Sequence, residues 1–235
     1  MKLTVKKITT LAMLAALAYV ITVFVRIPIM PAAPFLEYDP KDILFVMAGF
    51  LIGPVESTII VILVCLIELF TVSSSGLIGF AMNVIASLCF VLPAAFIYRI
   101  KRTQTNAILG LLVSVISMTG AMILWNYIMT PIYMGVPRDV VVGMLPTVIL
   151  PFNVIKAGIN MALTLIIYKP ISLILHKAGV VDSNSDKSKV YVKDGVKTED
   201  TDADKKKSSK KFSPFAILVG VVILAMCICA LFLIN

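Results

Sequence analysis

The sequence predicts an all-α, polytopic membrane protein: a six-helix core followed by one additional C-terminal transmembrane helix. Three observations lead there. Hydrophobic residues make up 60% of the 235 residues, and the mean hydropathy is +1.01, more than a water-soluble domain carries. Several uncharged runs reach or exceed the roughly 20 residues needed to cross a ~30 Å hydrocarbon core, notably Leu69–Tyr98, Thr103–Pro137 and Phe212–Asn235. The charged residues collect at the ends of these runs and in one late segment.

The first span is expected at Ile8–Val25, behind Lys2, Lys6 and Lys7. Its start resembles a secretory signal, but the apolar run is too long for one and no small-residue cleavage site follows, so it reads as a retained helix. Arg26–Asp42 carries Pro28, Pro31, Pro34 and Pro40. Proline removes backbone donors and turns the preceding residue away from helix, so this loop should be irregular. Ile43–Ile52 is helical in pattern but too short to cross alone at 1.5 Å per residue. Gly53-Pro54 separates it from a third helix near Glu56–Val72. Further helices are expected near Gly79–Tyr98, Ala107–Met129 and Thr147–Ile174.

Residues 1–177 thus form the membrane core. Residues 178–211 change character, with Ser, Asp and Lys dominating. Such a segment cannot bury a core and is expected to be a disordered cytoplasmic linker. Residues 212–235 form the last span. The lysines at 205–207 and 210–211 should hold its entry end inside; a role in contacting lipid headgroups is secondary.

Orientation follows from the cations. Lys2, Lys6 and Lys7, then Arg99, Lys101 and Arg102, then Lys169 and Lys177 mark one side, whereas the intervening loops carry no cation excess. The positive-inside rule places the first side in the cytoplasm. Arg26–Asp42, Thr71–Ile78 and Thr130–Pro146 then face outward. The net charge of +8 is therefore a topology signal, and a nucleic-acid partner is not expected.

Against this apolar background, Leu150–Asn160 is unusual, because Asn153, Lys156 and Asn160 fall at i, i+3 and i+7 on one helix face. An intramembrane cation is costly and by default marks a cavity, a partner or a pathway. Glu68, Asn83, Asn126, Asn153 and Lys156 all reach the outer half of the membrane in the predicted topology. Their convergence suggests a ligand cavity open to the outside, roofed by the proline-rich loop. Other readings stay open. Glu68 and Lys156 could pair with each other. Asn83, Asn126 or Asn160 could serve helix packing, and Trp125, Tyr127 and Tyr133 could be interfacial anchors. Deleting 181–235 is expected to leave binding intact, since no polar site group lies there.

What is absent narrows the chemistry. No G-x-x-x-x-G-K-[ST] loop occurs, so ATP hydrolysis is not expected. No Ser/His/Asp set, HExxH or catalytic carboxylate pair stands out, so the chain does not read as an enzyme. His176 is the only histidine, and Cys65, Cys89, Cys227 and Cys229 lie in apolar runs without metal-ligand spacing. The two halves show no repeat of broken helices. A cavity without a motor points to a capture subunit that works with others.

Particular motifs sharpen this: Ala12-Met13-Leu14-Ala15-Ala16, Phe35-Leu36-Glu37-Tyr38-Asp39-Pro40-Lys41-Asp42, Gly53-Pro54, and Asn83 after Gly79-Phe80-Ala81-Met82. Asn126-Tyr127 with Pro131 and, most specifically, Pro151-Phe152-Asn153-Val154-Ile155-Lys156 complete the set. Over about Ile8–Lys177 the chain resembles the substrate-binding S components of energy-coupling-factor (ECF) transporters, in particular those for riboflavin. The resemblance implies a bacterial cell-membrane protein that binds riboflavin from outside, FMN being the close variant. It also implies docking on a membrane T component driven by two ATP-binding-cassette ATPases. Riboflavin would be transported ligand, and no cofactor is expected. The implied binding residues are Asn126, Asn153 and Lys156, with contacts from Leu36, Tyr38 and the vicinity of Asn83; Glu68 joins them on depth alone. Ala12 and Ala16 become the docking stripe for the motor. An S component for another vitamin, or a stand-alone membrane protein, is the alternative. The last 58 residues have no counterpart in this resemblance.

Overall fold

In the computed structural model, residues 5–30, 33–177, 220–225 and 227–228 are described. Helix α1 (Val5–Phe24) leads into a two-residue hairpin in which β1 (Ile27–Pro28) pairs antiparallel with β2 (Glu37–Tyr38). Then follow α2 (Lys41–Leu51), α3 (Pro54–Thr71), α4 (Gly76–Ile100), α5 (Gln104–Met134), α6 (Arg138–Met144), a π-helical turn (Leu145–Ile149) and α7 (Leu150–Lys177). Five segments are long and apolar enough to span a membrane: α1, α3, α4, α5 and the run Arg138–Tyr168. The chain is a multi-pass helical membrane protein.

The short α2 is the hub. It is too short to cross, and every one of its residues is buried, as befits a helix apolar nearly all round. It contacts α1, α3, α4 and α7. Gly49 permits the closest of these approaches, because a Cβ there would stand 2.8 Å from the Ala95 Cβ. Gly53, at φ 155°, turns the chain into α3, and Pro54 takes the first helical position, where its missing N–H costs nothing. At the far end of α5, Gly135 adopts the left-handed conformation at the cap and ends the helix.

Two expectations are corrected. The proline-rich loop is not wholly irregular, since Ile27–Pro28 and Glu37–Tyr38 form a minimal hairpin. The last core helix begins earlier than Thr147, because Arg138–Met144 is already helical and runs through the π turn into α7. Pro146 lies in the first turn of that π segment, and Pro151 lies just beyond it. Neither ring can donate a backbone N–H to the preceding turn, and the helix answers with a register change instead of a break. Of the expected seventh helix, residues 220–225 and 227–228 are helical. The rest of 212–235 and the linker 178–211 lie outside the described residues.

The burial pattern is that of a protein in lipid. Large apolar side chains face outward on α1 (Met13, Leu17), α3 (Ile59, Leu63) and α5 (Ile116, Leu124). Lys41, Asp42, Glu68, Asn126, Asn153, Lys156 and Asn160 are buried. Polar groups placed inside a membrane domain must find partners or a cavity there.

Candidate substrate cavity

The cavity opens where the hairpin, the α3–α4 turn and the N-terminal half of α7 meet. Its empty space, open solvent included, is about 660 Å³. Its apolar lining comes from Met82 and Ala86 of α4, Met118 and Met122 of α5, Phe152 of α7, and Phe35 and Leu36 of the loop. Its polar lining is Asn83, Asn126, Asn153 and Lys156, with Arg26 and Asp39 from the loop. A smaller apolar annex continues past Trp125, Met129 and Tyr133.

Five of the seven expected contact residues, Leu36, Asn83, Asn126, Asn153 and Lys156, line this one cavity. Local sequence explains how the asparagines are held. Asn126 donates to the Met122 carbonyl at 2.7 Å and accepts from the Thr130 hydroxyl at 2.8 Å. Asn153 donates to the Ile149 carbonyl at 2.8 Å, bracing the junction between the π turn and α7. An amide tied to its own helix one turn back is a rigid presenter of its remaining donor and acceptor capacity.

Tyr38 and Glu68 sit elsewhere. Tyr38 is buried behind the cavity wall and donates to Asn160 Oδ1 at 3.1 Å. Glu68 lies off the wall and accepts from Lys41 Nζ at 2.6 Å. A Glu68–Lys156 pair, one of the readings left open by the sequence, does not form. Lys156 instead pairs with Asp39 at 3.1 Å, and Asp39 lies 3.6 Å from Lys41. The result is a buried ladder, Lys156–Asp39–Lys41–Glu68, joining α7, the loop, α2 and α3. A second branch hangs from Asn160, which donates to Asp42 Oδ2 at 3.3 Å, while the Ser87 hydroxyl donates to Asp42 Oδ1 at 2.6 Å.

Electrostatics follow from this wiring. Burial alone would raise the Asp39 carboxyl, but the charges of Lys156 and Lys41 outweigh it and hold the group down at about 2. Burial, reinforced by the Asp39 charge, pushes the neighbouring Asp42 carboxyl up. Lys156 and its partner Asp39 therefore line the cavity as an ion pair. Among the described residues, Asp39 Oδ1 and Glu68 Oε1 are buried without a hydrogen-bond partner, and Asp39 Oδ1 faces the Lys41 ammonium at 3.6 Å. Arg26 bonds the Val72 carbonyl at 2.8 Å and approaches Glu37 to 3.5 Å, tying the loop to the end of α3.

Asp39, Lys41, Asp42, Ser87 and Arg26 were not singled out by the sequence reading. The available signal was the run Asp39-Pro40-Lys41-Asp42, three charges abutting an apolar helix, but a loop assigned to the outer surface gives charged residues an easy home in water. Ala12 and Ala16 are exposed on α1, whereas Ala15 and Ala18 turn inward. The stripe faces away from the rest of the chain. No cluster of metal-ligating side chains occurs among the described residues.

Comparison with known proteins agrees with this architecture. Residues 6–171 match the family described as ECF transporter, substrate-specific component. The chain is 29% identical to the riboflavin transporter RibU of Staphylococcus aureus (strain TCH60), over 73% of this chain and 93% of that protein. It is 30% identical to RibU of Streptococcus thermophilus (strain ATCC BAA-250 / LMG 18311), over 73% and 85%. It is 26% identical to the riboflavin transporter FmnP of Bacillus subtilis (strain 168), over 65% and 84%. A solved S component of a bacterial ECF transporter superposes with a TM-score of 0.62 at 30% identity, covering 72% of this chain and 97% of its own. Sequence family and fold agree, and the chain belongs to the substrate-specific S components of ECF transporters.

Proposed function

We propose that this chain captures riboflavin from outside a bacterial cell membrane and delivers it to a T component driven by two ATP-binding-cassette ATPases. The observation that carries this reading is a single cavity lined together by Asn126, Asn153 and Lys156 and by the apolar Met82, Met118, Met122 and Phe152. Isoalloxazine has two broad apolar faces and one edge of alternating carbonyl and N–H groups. Methionine and aromatic side chains suit the faces. Asparagine both donates and accepts along the edge, and Lys156 donates to a ring carbonyl. Asn83 and the backbone around Leu36 lie where further contacts to the ring or the ribityl hydroxyls can form. Tyr38 and Glu68 act from behind, through Asn160 and Lys41. The three relatives carry the same substrate in their names, which favours riboflavin over another vitamin.

Riboflavin is a better fit than FMN. The cations at the cavity, Lys156 and Arg26, already face Asp39 and Glu37, so a phosphate would meet neutralised charge. Uptake would proceed by docking through the exposed Ala12–Ala16 stripe of α1, where small side chains allow another helix close approach.

Titration of riboflavin fluorescence with the purified full chain tests the reading. Saturable quenching is expected, together with yellow chromophore retained after extraction in mild detergent. Absence of both would sink it, as would undiminished affinity in well-folded Asn153→Ala and Lys156→Ala variants.

A further inference from the structure

We infer that the C-terminal helix is an intrachain strut that seats on the back of α7 and holds the substrate-contacting face of that helix in place. Residues Gly220, Ile223, Leu224 and Cys227 fall at i, i+3, i+4 and i+7, on one helix face. Ile223 packs against the main core, and Leu224 and Cys227 pack against the second cluster, which contains Tyr38, Phe152 and Ile155. Val221, Val222 and Ile228, on the other side, are exposed. The helix is therefore seated in one rotational setting.

The seat is built for close approach. A Cβ placed on Gly158 of α7 would stand 2.7 Å from Cys227 Sγ. A Cβ on Gly220 would stand 2.9 Å from the Ala162 carbonyl and 3.3 Å from the Leu165 Cβ. Gly220 beside Ala162 and Leu165, with Cys227 beside Gly158, makes the pairing antiparallel. That is the direction expected if α7 leaves and the last helix enters on the same side of the membrane. Gly158 lies two residues from both Lys156 and Asn160, nearly opposite them around the helix at 100° per residue. α7 is thus held between the cavity on one face and the last helix on the other. The family match ends at residue 171, so the strut is an addition to the S-component core. The inference runs against the expectation that removing the C-terminal segment leaves binding untouched: the segment holds no contact residue, yet it packs on the helix that holds two.

The inference rests on the proposed riboflavin function for one of its readouts only. Gly158→Cys in the full chain should form a disulfide with Cys227 under mild oxidation, lost again in Gly158→Cys/Cys227→Ser. Gly220→Leu should unseat the strut. Hydrogen exchange of residues 33–40 and 150–160 should then quicken, and riboflavin dissociation should speed up by roughly threefold or more with association little changed. The crosslinked protein should shift both readouts the other way and regain wild-type behaviour on reduction. Failure to crosslink, or exchange in 150–160 that neither variant alters, would overturn the strut. If wild-type chain binds no riboflavin but exchange responds as described, the strut stands and the riboflavin reading falls.

Discussion

Helices α1 and α7 are both apolar enough to cross a membrane, and they use their side chains in opposite ways. On α1 only Thr10, Leu14, Ala15, Ala18 and Thr22 are buried, and Ala12, Ala16, Met13 and Leu17 look outward. On α7, between Phe152 and Leu165, Val154 is the one exposed residue, and Asn153, Lys156, Asn160 and Thr164 are buried polar side chains. Hydropathy says that both helices cross but not what they meet. Polar groups bind α7 to the interior, since a charge facing lipid is far costlier than one facing a carboxylate. On α1 the Ala12–Ala16 stripe is exposed, and small side chains of this kind let another helix approach closely.

Four experiments would break or sharpen that contrast. The largest effect is expected at the ladder behind α7. Lys41→Met strands the buried Glu68 and leaves Asp39 to Lys156 alone, and should lower stability by about 3–5 kcal/mol, read as thermal unfolding in detergent. A variant as stable as wild type would mean that the ladder is not formed as described. Next comes the cavity wall itself. Lys156→Ala, measured by flavin titration, should cost about 1–3 kcal/mol, or roughly 5–150-fold in affinity, because the ligand loses its charged donor. On α1 the expectation is reversed. Ala12→Leu/Ala16→Leu should leave affinity within a factor of about two, yet abolish ATP-dependent uptake in cells supplying the T component and ATPases. Normal uptake would remove that stripe from the docking surface, and lost binding would return it to the core.

The smallest effect expected is on pH. Asp39 is held at about 2, below the ordinary 3.8. A carboxyl with a depressed value contributes in full above its ordinary value, and the contribution disappears only as pH falls through the depressed one. Asp39 should therefore stay ionised between about pH 5 and 8, and no change of riboflavin affinity in that window should trace to it. A titration step attributable to Asp39 in that window, abolished by Asp39→Asn, would contradict the ion pairing drawn here.

Much of this was legible in one dimension. The spans, the shortness of α2 and the face bearing Asn153 and Lys156 all follow from run length, proline placement and helical spacing. Less legible were the ends of elements: the helix before Thr147 lies behind Pro146, which ordinarily signals a break, whereas a π turn absorbs it. The supporting residues were missed for a different reason. Lys41 and Asp42 look like surface charges in a linear reading, and only the burial of α2 on all sides turns them into interior ones.

By itself, the sequence determined that the chain is a helical membrane protein, that one helix carries a polar stripe through lipid, and that the stripe must face inward. The cost of dehydrating charge leaves no other placement. Tertiary structure alone decided that Lys156 takes Asp39, 117 residues away, and that Glu68 takes Lys41. It also decided that Gly158 receives Cys227 on the far side of α7. Both Asp39 and Glu68 were chemically acceptable partners for Lys156. The choice rests on ångström-scale placement of the hairpin and α2, which no spacing along the chain encodes.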